Sequence, residues 1–413
     1  MRITLASYGS VGDILPLVAL AVGLRDAGHR VVTVGDQAGS EIAIRHGLEF
    51  HAFAGSFQET MKPGQPSALA IDAGHLTWTS LRDYDAHDQA RLALIHRVAR
   101  GSDVVVGMPV AHYHALAAAR DLGARPVLAV LQPLAPTHEM APAGAGLPTL
   151  PGALRRPAGL LVQWAGWLNA ARPINAARRT LDQPPISDPT RDVFTLCAWS
   201  PTLVPQPEDW PTSQFAVTGR WHLPARDWTP APALAAFLDA GEPPAYVGFG
   251  SMSGFSGTRR LLNVLLAGLG RRRVLLAADP AVISDDQLPD SVHRITGHVP
   301  HEWLFPRCAT IVHHCGAGTA HQAIAAGVPS IPVPISLDQP FWADRLHRLG
   351  VAPEPLNPRR PTVEAVRRAV AAAESEPMKL HAHQLARDIA HEDGVPAAVN
   401  CIERLTPGAT QSG

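Results

Sequence analysis

The sequence predicts an α/β protein made of two doubly wound parallel-sheet domains that face a cleft. Three observations predict it. Short apolar runs alternate with helical stretches in each half, the rhythm of strand, crossover helix, strand. The rhythm stops at a stretch with nine prolines, 201–244, and restarts after it. Glycine-rich turns fall where an apolar run gives way to a helical one.

In the first half, Arg2–Ser7 reads as a buried strand. Ile14–Ala27 follows as a helix, with Leu15, Val18, Ala19 and Val22 at helical spacing and Gly28 as its stop. Arg30–Val34 is the next strand. Val104–Val106 and Val127–Leu131 are apolar enough for central parallel strands, with Ala111–Leu122 as the helix between them. Two stretches, 57–81 and 134–159, lack a clear period and read as lids or mobile loops, or as plain disorder at the surface. In the second half, Ala245–Gly250, Val274–Ala278, Thr310–Val312 and Ser330–Val333 read as strands. Arg259–Leu269, Glu364–Glu374 and the chain from Met378 onward read as helices. The two halves are therefore Rossmann-like, and ligands in such sheets sit at the carboxyl ends of the strands.

Composition narrows the function. The 413 residues are 46% hydrophobic and 17% charged, with a formal net charge of −1. That is enough apolar material for two or three cores and argues against disorder. It also argues against nucleic acid as a partner, because phosphate backbones demand a basic surface. Four cysteines, none in a CxxC pair, read as reduced thiols. No leader-like segment and no apolar window of about 20 residues is present, so the expected location is the cytoplasm. Among the 20 histidines there is no HExxH or other tight ligand spacing, and no metal site is expected.

Four turns carry candidate chemistry. Ile311–Ala320, IVHHCGAGTA, is a strand entering a glycine turn that opens a helix. Glycines let a backbone approach an anion, and the helix start favours a phosphate. Thr319 can cap or donate, and His314 can donate to a phosphate oxygen. Glycines at such a turn also serve plain strand–helix packing. Asp338-Gln339 places an acid beside an amide on a strand-end loop, suited to adjacent hydroxyls such as those of a sugar. Asp338 equally fits a cap for the helix that begins near Pro340. Tyr246–Met252 leads another strand into a Gly/Ser turn with Ser251. Gly9–Pro16 follows the first strand, and Asp13 there fits either a general base or a helix cap.

Read together, these segments resemble nucleotide-sugar glycosyltransferases. The resemblance rests on Val299–Pro306, on His313–Thr319 and on Asp338–Trp342, in that order, with Gly9–Pro16 and Tyr246–Met252 in support. It is closest to the branch of sterol glucosyltransferases and antibiotic-decorating enzymes. It implies a GT-B fold, an inverting mechanism and no cofactor beyond a UDP- or TDP-sugar co-substrate. It implies that Asp13 is the catalytic base. His314, Gly316, Ala317, Gly318, Thr319 and Ser251 are expected at the diphosphate, Asp338 and Gln339 at the sugar, and His298, Val299 and Trp303 at the nucleoside. Ser10, His75, Trp78 and His112 are the acceptor candidates. Two positions depart from the family. Val11 stands where the sterol branch usually has Arg, and Cys315 where Gly is common.

The expected domains are 1–215 for the acceptor, a linker 216–240, a donor domain 241–390, and a terminal helix 391–413 crossing back. The expected reaction moves a hexose or deoxyhexose to a hydroxyl of a lipophilic natural product: a polyketide, macrolide, glycopeptide or sterol-like compound. Competing readings are a nucleotide-sugar epimerase or hydrolase on the same frame, and a binding subunit without catalysis. The expected partners are the nucleotide sugar and that acceptor, with the chain a monomer or homodimer. Leu160–Asn169, with Trp164, Trp167 and flanking arginines, fits an ordinary packed helix, an acceptor lid or a weak peripheral membrane contact.

Overall fold

The computed structural model describes residues 1–55, 84–145, 149–225, 228–250 and 257–406. The first sheet takes β1 (Arg2–Ala6), β2 (Arg30–Gly35), β3 (Glu49–Ala52), β4 (Val104–Gly107), β5 (Arg125–Val130), β6 (Phe194–Cys197) and β7 (Phe215–Val217). Its order is β3-β2-β1-β4-β5-β6-β7, every pairing parallel. Ile3 lies opposite Val31 on one side and Val104 on the other. The second sheet takes β8 (Ala245–Gly248), β9 (Val274–Ala277), β10 (Val292–Arg294), β11 (Thr310–His313) and β12 (Ser330–Pro332), ordered β10-β9-β8-β11-β12 and again parallel. Each sheet reverses its strand order beside its first strand, β1 or β8, and that is where a doubly wound sheet opens a crevice.

The helices are α1 (Val11–Asp26), α2 (Ser40–Arg45), α3 (Tyr84–Val98), α4 (His112–Asp121), α5 (Gly152–Arg179), α6 (Pro232–Asp239), α7 (Thr258–Leu269), α8 (His301–Leu304), α9 (Ala317–Ala325), α10 (Gln339–Arg348), α11 (Val363–Ala373), α12 (Glu376–Ile389) and α13 (Gly394–Arg404). Central strands such as β4 are buried along their whole length because helices cover both faces. One face of the first sheet packs on α1 and α13, through Leu17, Leu20 and Leu24 against Ala398, Val399 and Ile402. The other packs on α3, α4 and α5.

A further core joins the halves. Trp199, Leu203, Val204 and Trp210, after β6, pack with Ala320 and Ile324 of α9, Phe341, Trp342 and Leu346 of α10, and Leu385 and Ile389 of α12. Burial of large side chains on this scale is worth roughly 1.5–3 kcal/mol each.

The structure corrects several expectations. The irregular stretch 134–159 ends earlier than expected, since α5 begins at Gly152 and runs 28 residues through Pro157 and Pro173. The stretch expected as linker is partly built: β7 carries the first sheet to Val217, and α6 fills part of the remainder. The stretch 57–81 lies outside the described residues. The two tryptophans of the 160–169 stretch differ in exposure. Trp164 is 59% exposed, whereas the Trp167 ring sits 5.5 Å from that of Tyr113.

Candidate active site

Both carboxyl edges meet at one cleft. Burial is the main cause that raises the Asp338 carboxyl on the second domain and lowers His298, and charges from the first domain, Asp13 and Arg45, push each further in the same direction.

Asp13 is the third residue of α1, directly after the central strand β1. Its Oδ2 accepts from the backbone N–H of Ser10 at 2.8 Å and from the Ser10 hydroxyl at 3.0 Å. The capping role is thus real, and it also aims the carboxylate. A Cβ at position 9 would collide with that carboxylate, so only glycine fits there. Burial pushes the Asp13 carboxyl up to about 6, against the two Ser10 bonds, which pull it down. Ser10 sits beside the cleft, but its hydroxyl is turned to Asp13.

On the facing edge, β11 ends in His313, and the chain turns through His314 and Cys315 into α9. The fully buried His313 holds the turn. Its Nδ1 accepts from the Cys315 N–H at 3.1 Å, and its Nε2 meets the Ser330 hydroxyl at 3.0 Å. Cys315 has φ +63°, a left-handed conformation. That explains why glycine suits this position, and the His313 bond offsets the strain that cysteine adds, about 1–2 kcal/mol.

The N-cap of α9 is Gly316, which brings no side chain. The first amide of this helix with a described acceptor is that of Ala320, bonded to Gly316 O. The N–H groups of Ala317, Gly318 and Thr319 therefore belong to the unsatisfied set at a helix start. Gly318 is exposed, and a Cβ there would meet nothing within 4 Å. The His314 ring lies over this turn: a Cβ at Gly316 would stand 2.7 Å from its Nε2, and one at Gly250 3.4 Å from its Cε1. His314 Nδ1 is buried without a hydrogen-bond partner. Burial pulls its pKa down to about 4, so the ring is neutral at pH 7 and offers a hydrogen bond rather than a charge.

Beyond β12, the loop 333–338 leads into α10. Leu337 takes φ +57°. Asp338 precedes the helix but makes no side-chain capping bond; its Oδ2 instead accepts from the indole N–H of Trp342 at 2.9 Å. Burial pushes this carboxyl up to about 6, the indole bond lowers it, and the Asp13 charge raises it. Gln339 is buried, and its Oε1 accepts from the amides of Ile335 at 2.8 Å and Ser336 at 3.0 Å. Its carbonyl end thus holds the loop, and its NH₂ end is what remains for a ligand.

His298, Val299 and Trp303 lie on the second domain before and within α8. The His298 carbonyl accepts from the Trp228 indole at 3.3 Å. Val299 leans on the core beneath. Trp303 carries the Trp228 ring at 4.9 Å and the Arg307 guanidinium at 4.3 Å. Two protein neighbours already cover it. Burial lowers the His298 pKa.

His112 opens α4 after β4, the strand next to β1, so it shares the carboxyl edge with Asp13. Burial pulls its pKa down to about 4, and its ring lies 4.0 Å from that of Tyr113. Ser251, His75 and Trp78 lie outside the described residues. Sequence reasoning missed Trp342 and His321, whose contacts appear only in the folded chain. Among the described residues no group of three or more His, Cys, Asp or Glu is arranged to hold a metal. No helix among them is long and apolar enough to cross a membrane.

Two doubly wound parallel-sheet domains with their carboxyl edges toward a shared cleft give the GT-B architecture. Comparison with known proteins agrees. Residues 3–84 match the glycosyltransferase family 28 N-terminal domain, and residues 273–404 match the erythromycin biosynthesis protein CIII-like C-terminal domain. O-mycaminosyltylonolide 6-deoxyallosyltransferase of Streptomyces fradiae is 33% identical, over 98% of this chain and 97% of its own. Sterol 3-beta-glucosyltransferase UGT80A2 of Arabidopsis thaliana is 28% identical, over 100% of this chain and 67% of its own. The crystal structure of glycosyltransferase VinC in complex with DTDP superposes with TM-score 0.69 at 19% identity, covering 98% of this chain and 99% of that one. The chain belongs to the family of antibiotic and sterol glycosyltransferases, and it is a hexosyltransferase.

Proposed function

We propose that the protein transfers a hexose or deoxyhexose from a UDP- or TDP-sugar to a hydroxyl of a lipophilic natural product, inverting the anomeric centre without a metal ion. The observation that carries this reading is the facing pair: Asp13 on one edge, and on the other the open start of α9 beside Asp338. In support, the Streptomyces fradiae relative is by name a deoxyhexosyltransferase acting on a tylonolide, and the VinC structure holds a thymidine diphosphate.

In this reading the diphosphate rests on the amides of Ala317, Gly318 and Thr319, with a hydrogen bond from His314. Asp338 and the Gln339 NH₂ take sugar hydroxyls. The acceptor hydroxyl attacks the anomeric carbon from the face opposite the nucleotide. Its proton passes to Asp13 as the new C–O bond forms and the bond to the diphosphate oxygen breaks. A positioned base contributes about 10²–10⁴-fold. With a pKa near 6, Asp13 is ionised at pH 7 and a better base than a solvent-exposed aspartate. The departing diphosphate gains negative charge, which oriented amides stabilise at no reorganisation cost. Alignment of both substrates across the cleft adds an entropic share. The reading places the reaction in the cytoplasm.

The direct test is to screen a panel of UDP- and TDP-sugars for protection against thermal unfolding. The best donor is then offered with macrolide and sterol acceptors, and the anomeric configuration of the product is read by NMR. Protection by no nucleotide sugar, or retention at the anomeric carbon, overturns the proposal.

A further inference from the structure

The side chain that holds the Asp338 carboxylate comes from the following helix, not from its loop. The indole N–H of Trp342, one helical turn on, donates to its Oδ2 at 2.9 Å. Trp342 is fully buried, so this bond is shielded from water. The Trp342 ring meets the His321 ring edge-on at 5.0 Å and 72°. His321 is also buried, and both of its nitrogens are used. The Ser200 N–H donates to Nε2 at 3.2 Å, so the ring proton sits on Nδ1 and is donated to the Ala317 carbonyl at 2.7 Å. Ala317 is the first residue of α9. Ser200 is in turn held by Glu392, whose Oε1 accepts from the Ser200 hydroxyl at 2.6 Å and the Thr202 hydroxyl at 2.8 Å.

These contacts form one chain, from the loop after β12, through two buried rings, to the first turn of α9 and to the segment after β6. We propose that Trp342 and His321 are a positioning pair for the donor: Trp342 aims the Asp338 carboxylate at the sugar, and His321 fixes the first turn of α9 relative to it. The inference rests on the donor reading of this cleft and goes beyond it, since neither side chain touches the ligand. The two residues act on different parts of the donor. Trp342 reaches the sugar end through its hydrogen bond to Asp338, and toward His321 it makes only a ring-edge contact. His321 reaches the diphosphate end, through Ala317 and the turn it opens.

That division sets the test. Calorimetry is run with a nucleotide sugar and with the matching nucleoside diphosphate. Trp342→Phe keeps an aromatic ring in the core and removes the indole N–H together with the five-membered ring that carries it; nucleotide-sugar affinity falls about tenfold while nucleoside diphosphate affinity stays within twofold, a charge-assisted bond being the polar contact removed. His321→Phe weakens both ligands by a similar factor. His321→Asn keeps a donor for the Ala317 carbonyl and recovers most of the diphosphate affinity. A folded Trp342→Phe protein that binds both ligands as the wild type does, or weakens both equally, overturns the proposal. A wild-type protein that binds neither overturns the donor reading instead.

A second measurement covers a Trp342→Phe chain that does not fold. In the wild type, ¹⁵N-indole NMR should show one resonance that moves in Asp338→Ala and on addition of nucleotide sugar, but not of nucleoside diphosphate. If no indole resonance behaves in this way, the pairing of Trp342 with Asp338 does not act on the sugar.

Discussion

Asp338 and Asp13 face each other across the cleft: burial makes the Asp338 carboxyl, at the head of α10, hard to ionise, and the charge of Asp13, carried by α1, adds to that. Neither residue shares an element with the other, so only the meeting of two domains creates the relationship. It puts two carboxyls of raised pKa at the same opening, one on each substrate side. Sites with displaced pKa values cluster where chemistry occurs.

Replacing Asp13 with Asn keeps the size and the Ser10 contacts but removes the base. Transfer should drop at least about 10²-fold, with nucleotide affinity unchanged by calorimetry. The Asp338 carboxyl should then ionise at lower pH, visible as a shifted ¹³C-carboxyl titration. An unchanged transfer rate removes Asp13 from the mechanism.

The raised carboxyls predict two opposite pH trends. kcat/KM should fall as pH drops below about 6, because Asp13 must be ionised to accept a proton. Stability should move the other way. The native state holds protons on Asp13 and Asp338 up to about 6, while the unfolded chain releases them near 3.8. Their contribution is fully present below that lower value and is lost as pH rises to about 6. Urea midpoints at pH 4.5 and 6.5 should show this loss in the wild type and a smaller one in Asp13→Asn/Asp338→Asn. An identical slope in both proteins contradicts the assignment.

His314 is neutral at pH 7 when no ligand is near it. A diphosphate beside it favours the protonated ring. Nucleotide binding at pH 6 should therefore take up protons, measured as a dependence of the calorimetric enthalpy on buffer ionisation. His314→Ala should lose that uptake and roughly tenfold to a hundredfold in affinity. Uptake that persists in the variant points to another group.

Gly9→Ala tests how tightly the base is placed. Its new methyl group meets the Asp13 carboxylate, which must turn away from the cleft or leave Ser10. Transfer should fall about as far as in Asp13→Asn, while nucleotide affinity and the far-UV spectrum stay the same. Wild-type turnover by Gly9→Ala would show that the carboxylate has room to spare.

Much of the frame was legible in the chain. The central strand β4 is the short apolar run VVVG, and β1 and β11 carry buried Ile, Leu and Val between turn residues, a pattern that reads as interior strand. Two edge strands, β3 and β10, were not legible. β3 is EFHA and β10 is VHR, half-exposed segments with no apolar run to betray them. The start of α5 was hidden by Gly152 and Pro157, residues that read as loop. At the site, Asp13, His314 and Asp338 stood out because each follows a strand in a turn of unusual composition. The role of His321 was invisible, since its partner Ser200 lies 121 residues away and the bond exists only after the halves dock.

The packing of α13 on α1 has a practical consequence for anyone recombining these enzymes. The last helix completes the core of the first domain, and Glu403 pairs with His29 at 3.0 Å. A hybrid that swaps donor halves at the proline-rich junction would inherit a foreign terminal helix and leave Leu17, Leu20 and Leu24 facing a mismatched surface. A workable exchange takes two cuts, one before α6 and one before α13, so that the acceptor half keeps its own final helix. The same arrangement means that a ribosome must release nearly the whole chain before the first domain can close its core.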